Sequence, residues 1–291
     1  MKYYCPVKLQ DNNIMSCDMV RLVFSMSNDN LVLFNKFINN KCIEKEYYNY
    51  QHYTSRAYFQ YRELISFKHN TSDSSFTLGL GFNGTNKKQN NTCFIEFNPN
   101  KSLSNNYVTP FLDFIKLKSY DLHFARFDIA IDIPYSKEYC TLSKDLRNYS
   151  KMYRIDTNSI NMRDCTEYLG SRNTNGFVKL YNKQIESKLD KPLTRLEITL
   201  DKMDYENFIK QLPIVYYPKK MSVFDLDNLN DTEKVLCILL SENKNCMSYV
   251  NMLGRTMKEK IKKILYNEDS IVSVKDFEFY NLIFSIKQII A

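Results

Sequence analysis

The chain has 291 residues, long enough to bury a large core in one domain or in one domain with an appendage. Its 40 Lys and Arg against 33 Asp and Glu leave a formal charge of +7, which suits a polyanionic partner without naming one. Eight cysteines with no CxxC pair and no Cys/His spacing suited to zinc exclude a zinc module and read as reduced thiols, while MKYYCPVKLQDNN lacks a signal-peptide core and no apolar run reaches membrane length, so a soluble, cytoplasmic protein is expected.

In chain order, residues 17–26 (CDMVRLVFSM) read as a strand and residues 30–37 as a helix turning Leu31, Leu33, Phe34 and Phe37 to a core. Residues 58–67 and 76–82 form a strand pair across the turn-rich 70–75, with Gly79 and Gly81 in the second strand. Residues 92–97 are a strand ended by Asn98-Pro99-Asn100, followed by a helix over 107–118 with Pro110 in its first turn. Residues 123–133 alternate most cleanly: Phe127, Ile129, Ile131 and Ile133 point one way, and Arg126, Asp128, Ala130 and Asp132 the other.

From Gly176 the alternation returns, with Phe177, Lys179, Tyr181 and Lys183 sharing one face of a strand and Val178 and Leu180 the other. Residues 193–200 set Leu196, Ile198 and Leu200 against Arg195, Glu197 and Asp201. ARFDIAID and TRLEITLD thus share one formula, read either as an internal pseudo-repeat or as coincidence. Residues 213–231 hold turn formers without a period and mark a boundary. Beyond it, Asp231 caps a helix through Val235, Leu236, Ile238 and Leu239, a second helix spans 247–253, and Gly254 turns the chain into a helix over 256–266. That helix sets Met257, Ile261, Ile264 and Leu265 opposite Lys258, Lys262 and Lys263, an arrangement like helix-turn-helix construction. A final helix over 274–290 is apolar enough to dock on a core or another subunit. The expectation is an α+β protein: one domain over 1–226 built on a central sheet with one polar face, and a helical region over 227–291.

Tyr181 stands between two ammonium groups. Forming a phenolate at neutral pH costs about 4 kcal/mol from a pKa of about 10, and nearby cations reduce that cost. The competing reading is a surface tyrosine in a basic strand. Glu96, Asp128 and Glu197 lie on strands with apolar opposite faces; they would converge on a hard divalent cation, Mg2+ or Mn2+, or else stand as solvated acids paired with Arg126 and Arg195. His52, His69 and His123 show no H-apolar-H spacing, which disfavours the histidine-metal nucleases.

The segments CFIEFNPNK, ARFDIAIDIP, TEYLGSRNTNGFVKLYNKQIE and TRLEITLDKMDY, in this order, resemble the core of plasmid rolling-circle replication initiators of the Rep_trans family. The resemblance runs from about Thr92 to the C-terminus; nothing before it aligns. It implies that Tyr181 attacks a DNA phosphodiester, that Lys179, Lys183 and Arg172 contact phosphate, and that Glu186 positions water or the phenol, or merely caps the next helix. It makes residues 1–226 the catalytic domain, with the active site on one face of the central sheet, and 227–291 a DNA-recognition region that reads the origin through Arg255, Thr256, Lys258, Lys262 and Lys263. Taken with it, a divalent metal on the three acids would polarise the scissile phosphate, and Arg126 and Arg195 are expected DNA contacts. The partners expected from it are double-strand origin DNA, single-stranded nick-site DNA, a host replicative-type helicase and a second copy of the chain, with no membrane. A conjugative relaxase of the same family and a catalytically silent DNA-binding regulator are the rival readings.

Overall fold

The longest alternating stretch, residues 123–133, lies in the longest strand, which pairs with the second longest at the middle of one sheet. In a computed structural model, residues 4–43, 48–53, 61–70, 72–82, 91–103, 107–142, 152–155, 165–172, 174–217, 226–241, 249–250, 252–265 and 269–290 are described. The elements are β1 (Val7–Lys8), β2 (Ile14–Ser25), α1 (Asn28–Ile43), β3 (Tyr48–Tyr53), β4 (Tyr61–His69), β5 (Ser75–Phe82), β6 (Thr92–Phe97), α2 (Pro99–Ser102), α3 (Thr109–Lys118) and β7 (Tyr120–Ile133). There follow β8 (Thr141–Leu142), β9 (Met152–Ile155), β10 (Thr166–Leu169), β11 (Val178–Asn182), α4 (Lys183–Ser187), β12 (Thr194–Leu200), α5 (Tyr205–Gln211), β13 (Val215–Tyr216), α6 (Asp231–Ser241), α7 (Arg255–Leu265) and α8 (Asp276–Lys287). The main sheet is antiparallel in the order β3-β4-β5-β6-β2-β7-β12-β11-β10-β9, with β1 added to β2, and β8 pairs with β13 in a separate ribbon. The class is α+β, as the mixture of periods predicted.

One face of this sheet is apolar because every second residue is. Val20, Leu22 and Phe24 of β2, Phe127, Ile129, Ile131 and Ile133 of β7, and Leu196, Ile198 and Leu200 of β12 are all buried, under Phe34 and Ile38 of α1, Phe111 and Ile115 of α3, Phe208 of α5, and Phe279, Leu282 and Ile286 of α8. Ring contacts knit the helices together: Phe34 stacks on Phe114 at 5.0 Å and Phe208 on Phe279 at 4.8 Å. Each such fully buried side chain contributes about 1.5–3 kcal/mol, so this single core dominates the fold.

Several boundaries differ from the sequence reading. Helix α1 runs past residue 37 to Ile43 and leaves Leu33 exposed, not turned to the core as the periodicity predicted. The strand expected over 58–67 is described from Tyr61 onward, and of the helix expected over 247–253 only 249–250 and 252 are described as helical. The cap of α6 is Asn230, not Asp231: its side-chain oxygen accepts the Glu233 amide at 2.9 Å, and the Glu233 carboxylate accepts the Asn230 amide at 3.3 Å, a reciprocal capping box. Among the described residues no helix is long and apolar enough to cross a membrane.

The helical region expected over 227–291 divides between two cores. Cys237 and Leu240 of α6 and Ile261 and Leu265 of α7 bury against Cys165 and Val250 in a cluster of their own, whereas α8 packs into the core under the main sheet. The return of the chain is held by the Ile271 amide on the Val215 carbonyl (3.1 Å) and by the Tyr205 hydroxyl on the Val274 carbonyl (2.8 Å).

A fully buried ion pair ties the β8 segment to β10. Lys137 Nζ donates to Glu167 Oε1 at 2.7 Å and to the Cys140 carbonyl at 3.1 Å; Glu167 Oε2 accepts the Thr141 hydroxyl at 2.9 Å and the Leu142 amide at 3.1 Å. Both charged side chains are sealed from water, which is tolerable only because partners surround them.

Candidate active site

The second face of the sheet is polar, and strand register decides what meets on it. Across β11, β12 and β7 one row reads Tyr181, Arg195, Asp132, and the next, which extends to β10, reads Tyr168, Lys179, Glu197, Ala130. Residues two apart along a strand share this face, so the two rows touch diagonally. The Tyr181 hydroxyl leans across to donate to Glu197 Oε1 at 2.5 Å, while Lys179 Nζ donates straight across to Glu197 Oε2 at 2.8 Å. One carboxylate therefore holds a phenol on one oxygen and an ammonium on the other.

The electrostatics run opposite to the sequence expectation. Burial, then the charge of Glu197, pushes the Tyr181 phenol well above its ordinary value, and Arg195 offsets this only in part. The flanking lysines do not favour a phenolate because each has its own carboxylate. Burial lowers the Lys179 ammonium, but Glu197 outweighs it and the net shift is upward. Lys183 is not a strand residue: it opens α4, pairs with Glu186 and lies 5.8 Å from the Tyr181 ring centroid. The strand ends there because Asn182 turns to cap α4, accepting the Ile185 amide at 2.9 Å. The phenol in this arrangement is a neutral hydrogen-bond donor poised on a base.

Beneath Tyr181, Arg195 is nearly buried and its donors are committed. Nε and Nη2 reach Asp132 at 2.6 and 2.8 Å, and Nη1 reaches Asp18 at 2.9 Å. These hydrogen bonds and charges outweigh desolvation and raise its pKa further. Asp18 is available because β2 shifts register between Cys17 and Met19. Such a bulge redirects a side chain, and no sequence pattern announced it. Arg195 is thus a clamp binding β2, β7 and β12, not the open DNA contact expected of it.

The three acids expected to share a metal are not brought together. Glu96 on β6 pairs with Arg21 of β2 at 2.6 Å and stands three strand spacings, about 14 Å, from the β12 row of Glu197. Asp128 and Glu197 are diagonal neighbours, since Glu197 lies opposite Ala130, but Asp128 pairs with Arg126 at 3.2 Å. Among the described residues no group of three or more His, Cys, Asp and Glu is arranged to hold an ion. The set Glu96, Asp128 and Glu197 does not fit a single Mg2+ or Mn2+.

Of the remaining candidates, Arg172 is exposed, with its guanidinium 5.7 Å from the Tyr168 ring centroid. Glu186 is exposed beside Lys183. On α7, Arg255, Thr256 and Lys263 are exposed and Lys258 and Lys262 half-buried, while Met257 and Ile264 pack against the second core beside buried Ile261, as the helical period predicted. Lys260, not singled out from the sequence, bridges to Glu233 of α6 at 2.6 Å and holds that carboxyl below its ordinary range. Sequence reasoning also missed Tyr168; its place in the alternation of TEYL was the available signal. The two look-alike strands β7 and β12 turn out to be antiparallel neighbours. Their shared formula places Arg195 against Asp132, whereas Arg126 turns to Asp128 on its own strand.

No family model matches the chain, and no curated protein matches it. A solved structure, described as the rolling circle replication initiator protein from Geobacillus stearothermophilus, aligns over 87% of this chain and 96% of its own with 14% identity and a TM-score of 0.41. A likeness at that level carries no argument about the chemistry of this chain.

Proposed function

We propose that the chain is a DNA strand-nicking and joining enzyme that acts through Tyr181, in the manner of a plasmid rolling-circle replication initiator. The observation that carries the reading is the tyrosine hydroxyl held at 2.5 Å on the Glu197 carboxylate, which Lys179 steadies at 2.8 Å. The four motifs that resemble the Rep_trans initiators support the same assignment from the sequence side.

In this mechanism Glu197 accepts the phenolic proton as the Tyr181 oxygen attacks the phosphorus. The bond from phosphorus to the 3′ oxygen breaks, that oxygen takes a proton from water while Glu197 returns its own to solvent, and the products are a 5′-phosphotyrosine and a 3′-hydroxyl. One phosphodiester replaces another, so the nick can be rejoined by the reverse reaction. Lys179, half-exposed, can turn from Glu197 to the phosphate as the carboxylate becomes neutral, and the Lys183 ammonium lies 5.8 Å from the Tyr181 ring centroid. No step here passes through a metal ion. By the same reading, α7 recognises a double-strand origin through Arg255, Thr256, Lys258, Lys262 and Lys263, the free 3′-hydroxyl primes synthesis, and a host helicase and a second copy of the chain are the partners.

The test is incubation with labelled single strands from the origin region of its own plasmid. Wild-type protein is expected to give an SDS-stable adduct, and Tyr181→Phe to bind without forming one. An adduct from Tyr181→Phe would assign the wrong tyrosine, and no adduct on any strand would leave a DNA-binding regulator.

A further inference from the structure

Beside the nucleophile, the polar face carries a stack of planar groups that the transesterification does not use. The ring of Phe177 lies nearly parallel to that of Tyr168, with centroids 5.8 Å apart and planes 14° apart, and the Arg172 guanidinium lies 5.7 Å from the Tyr168 centroid. Burial falls along this series: Phe177 is 4% exposed, Tyr168 is half-buried and Arg172 exposed, so the open end is the guanidinium. The loop that delivers Arg172 is bracketed by Gly170 at φ 80 and Gly176 at φ 79, left-handed conformations that glycine adopts without strain. Its local fold brings Arg172 back over the strand it has just left.

The position of the stack relative to Tyr181 is set by register. Tyr168 faces Lys179 directly across β10 and β11, and Tyr181 is the next residue on that face of β11, so the Tyr168 backbone is a diagonal neighbour of the nucleophile at about 7–8 Å. Guanidinium planes and tyrosine rings accept unpaired bases by stacking, and a lysine alongside accepts the linking phosphate. An ion pair or a buried core would need neither the exposure of Arg172 nor its alignment over a ring.

We propose that Phe177, Tyr168 and Arg172 form a subsite for one unpaired nucleobase, placed beside the phosphate that Tyr181 attacks. The identity of that phosphate rests on the nicking reading above; the stacking subsite itself does not. The subsite takes any base, because stacking uses the π-face and not the hydrogen-bonding edge. Its role is to register the strand over the nucleophile.

The probe is 2-aminopurine placed singly through the strand that forms the adduct, with Tyr181→Phe protein as the binding partner so that no bond forms. Fluorescence should fall at one nucleotide next to the nick. Tyr168→Leu and Arg172→Ala should each abolish that fall and weaken single-strand binding about tenfold, while Tyr168→Phe keeps both. The exposed Arg172 makes Arg172→Ala the deciding variant should Tyr168→Leu fail to fold. Unchanged quenching and affinity in Arg172→Ala and in folded Tyr168→Leu overturn the subsite, even where wild-type protein forms its adduct. Should no strand yield an adduct, the nicking reading falls, and the same variants on a thymidine oligomer carrying one 2-aminopurine still decide the stack.

Discussion

Replacing Glu197 by Gln isolates the step on which the proposed chemistry turns. The amide keeps the shape of the carboxylate and an oxygen that can accept the Tyr181 hydroxyl, but it cannot take the proton. A positioned general base contributes about 10²–10⁴-fold, equivalent to about 3–5 kcal/mol of barrier, and that is the expected loss in Glu197→Gln. The structural cost is smaller. Lys179, whose side chain is 38% exposed, is solvated when its partner loses charge, and the phenol exchanges a charged acceptor for a neutral one, a loss of about 1 kcal/mol. Single-turnover adduct formation at saturating enzyme reads the chemical step free of affinity, with anisotropy on the same oligonucleotide as the binding control. Less than a tenfold fall in a variant that melts normally and binds normally would refute Glu197 as the base.

Glu96→Gln is expected to nick within about threefold of wild type, because Glu96 serves Arg21 some 14 Å across the sheet; a loss as large as that of Glu197→Gln would put it back in the reaction. The raised Tyr181 phenol stays neutral up to about pH 10, so its contribution to stability is complete below that unfolded-state value and is lost as pH rises toward the folded one. Absorbance at 295 nm should therefore titrate alike in wild type and Tyr181→Phe below pH 10, and a wild-type signal near pH 8 contradicts this. Lys137→Met strands the sealed Glu167 carboxylate and should cost about 3–5 kcal/mol in urea unfolding; a change under 1 kcal/mol would mean that water reaches the pair. Arg255→Ala should weaken binding to the cognate origin duplex by about 1–3 kcal/mol while sparing scrambled duplex and single-strand nicking, and equal losses on both duplexes reduce Arg255 to a phosphate contact.

Much of the fold was legible locally. Period-two alternation in residues 123–133 and 193–200 identified β7 and β12 and told their apolar faces from their polar ones, since consecutive side chains on a strand must point oppositely. The 3.6 period of α7 likewise separated Met257, Ile261 and Ile264 from the lysines. Tyr181 was found as a phenol among charges on a polar face, and the structure keeps it there.

Which charge it meets was a tertiary decision. Glu197 lies opposite Lys179 and diagonal to Tyr181 only because β11 and β12 pair in one register; a one-residue slip would send its carboxylate to the apolar side. The environment that raises the phenol follows from that pairing and from burial, neither of which a single strand contains. Strand order separated Glu96 from Asp128 and Glu197, although their sequence contexts looked equivalent, because β2 inserts between β6 and β7. The bulge at Cys17–Met19 swung Asp18 onto Arg195 across 177 positions of sequence. A local pattern determines which way a side chain faces; who stands opposite depends on non-local hydrogen bonding, and for Tyr181 that choice replaced the expected easing of ionisation by two cations with a phenol pushed further from ionisation on a carboxylate.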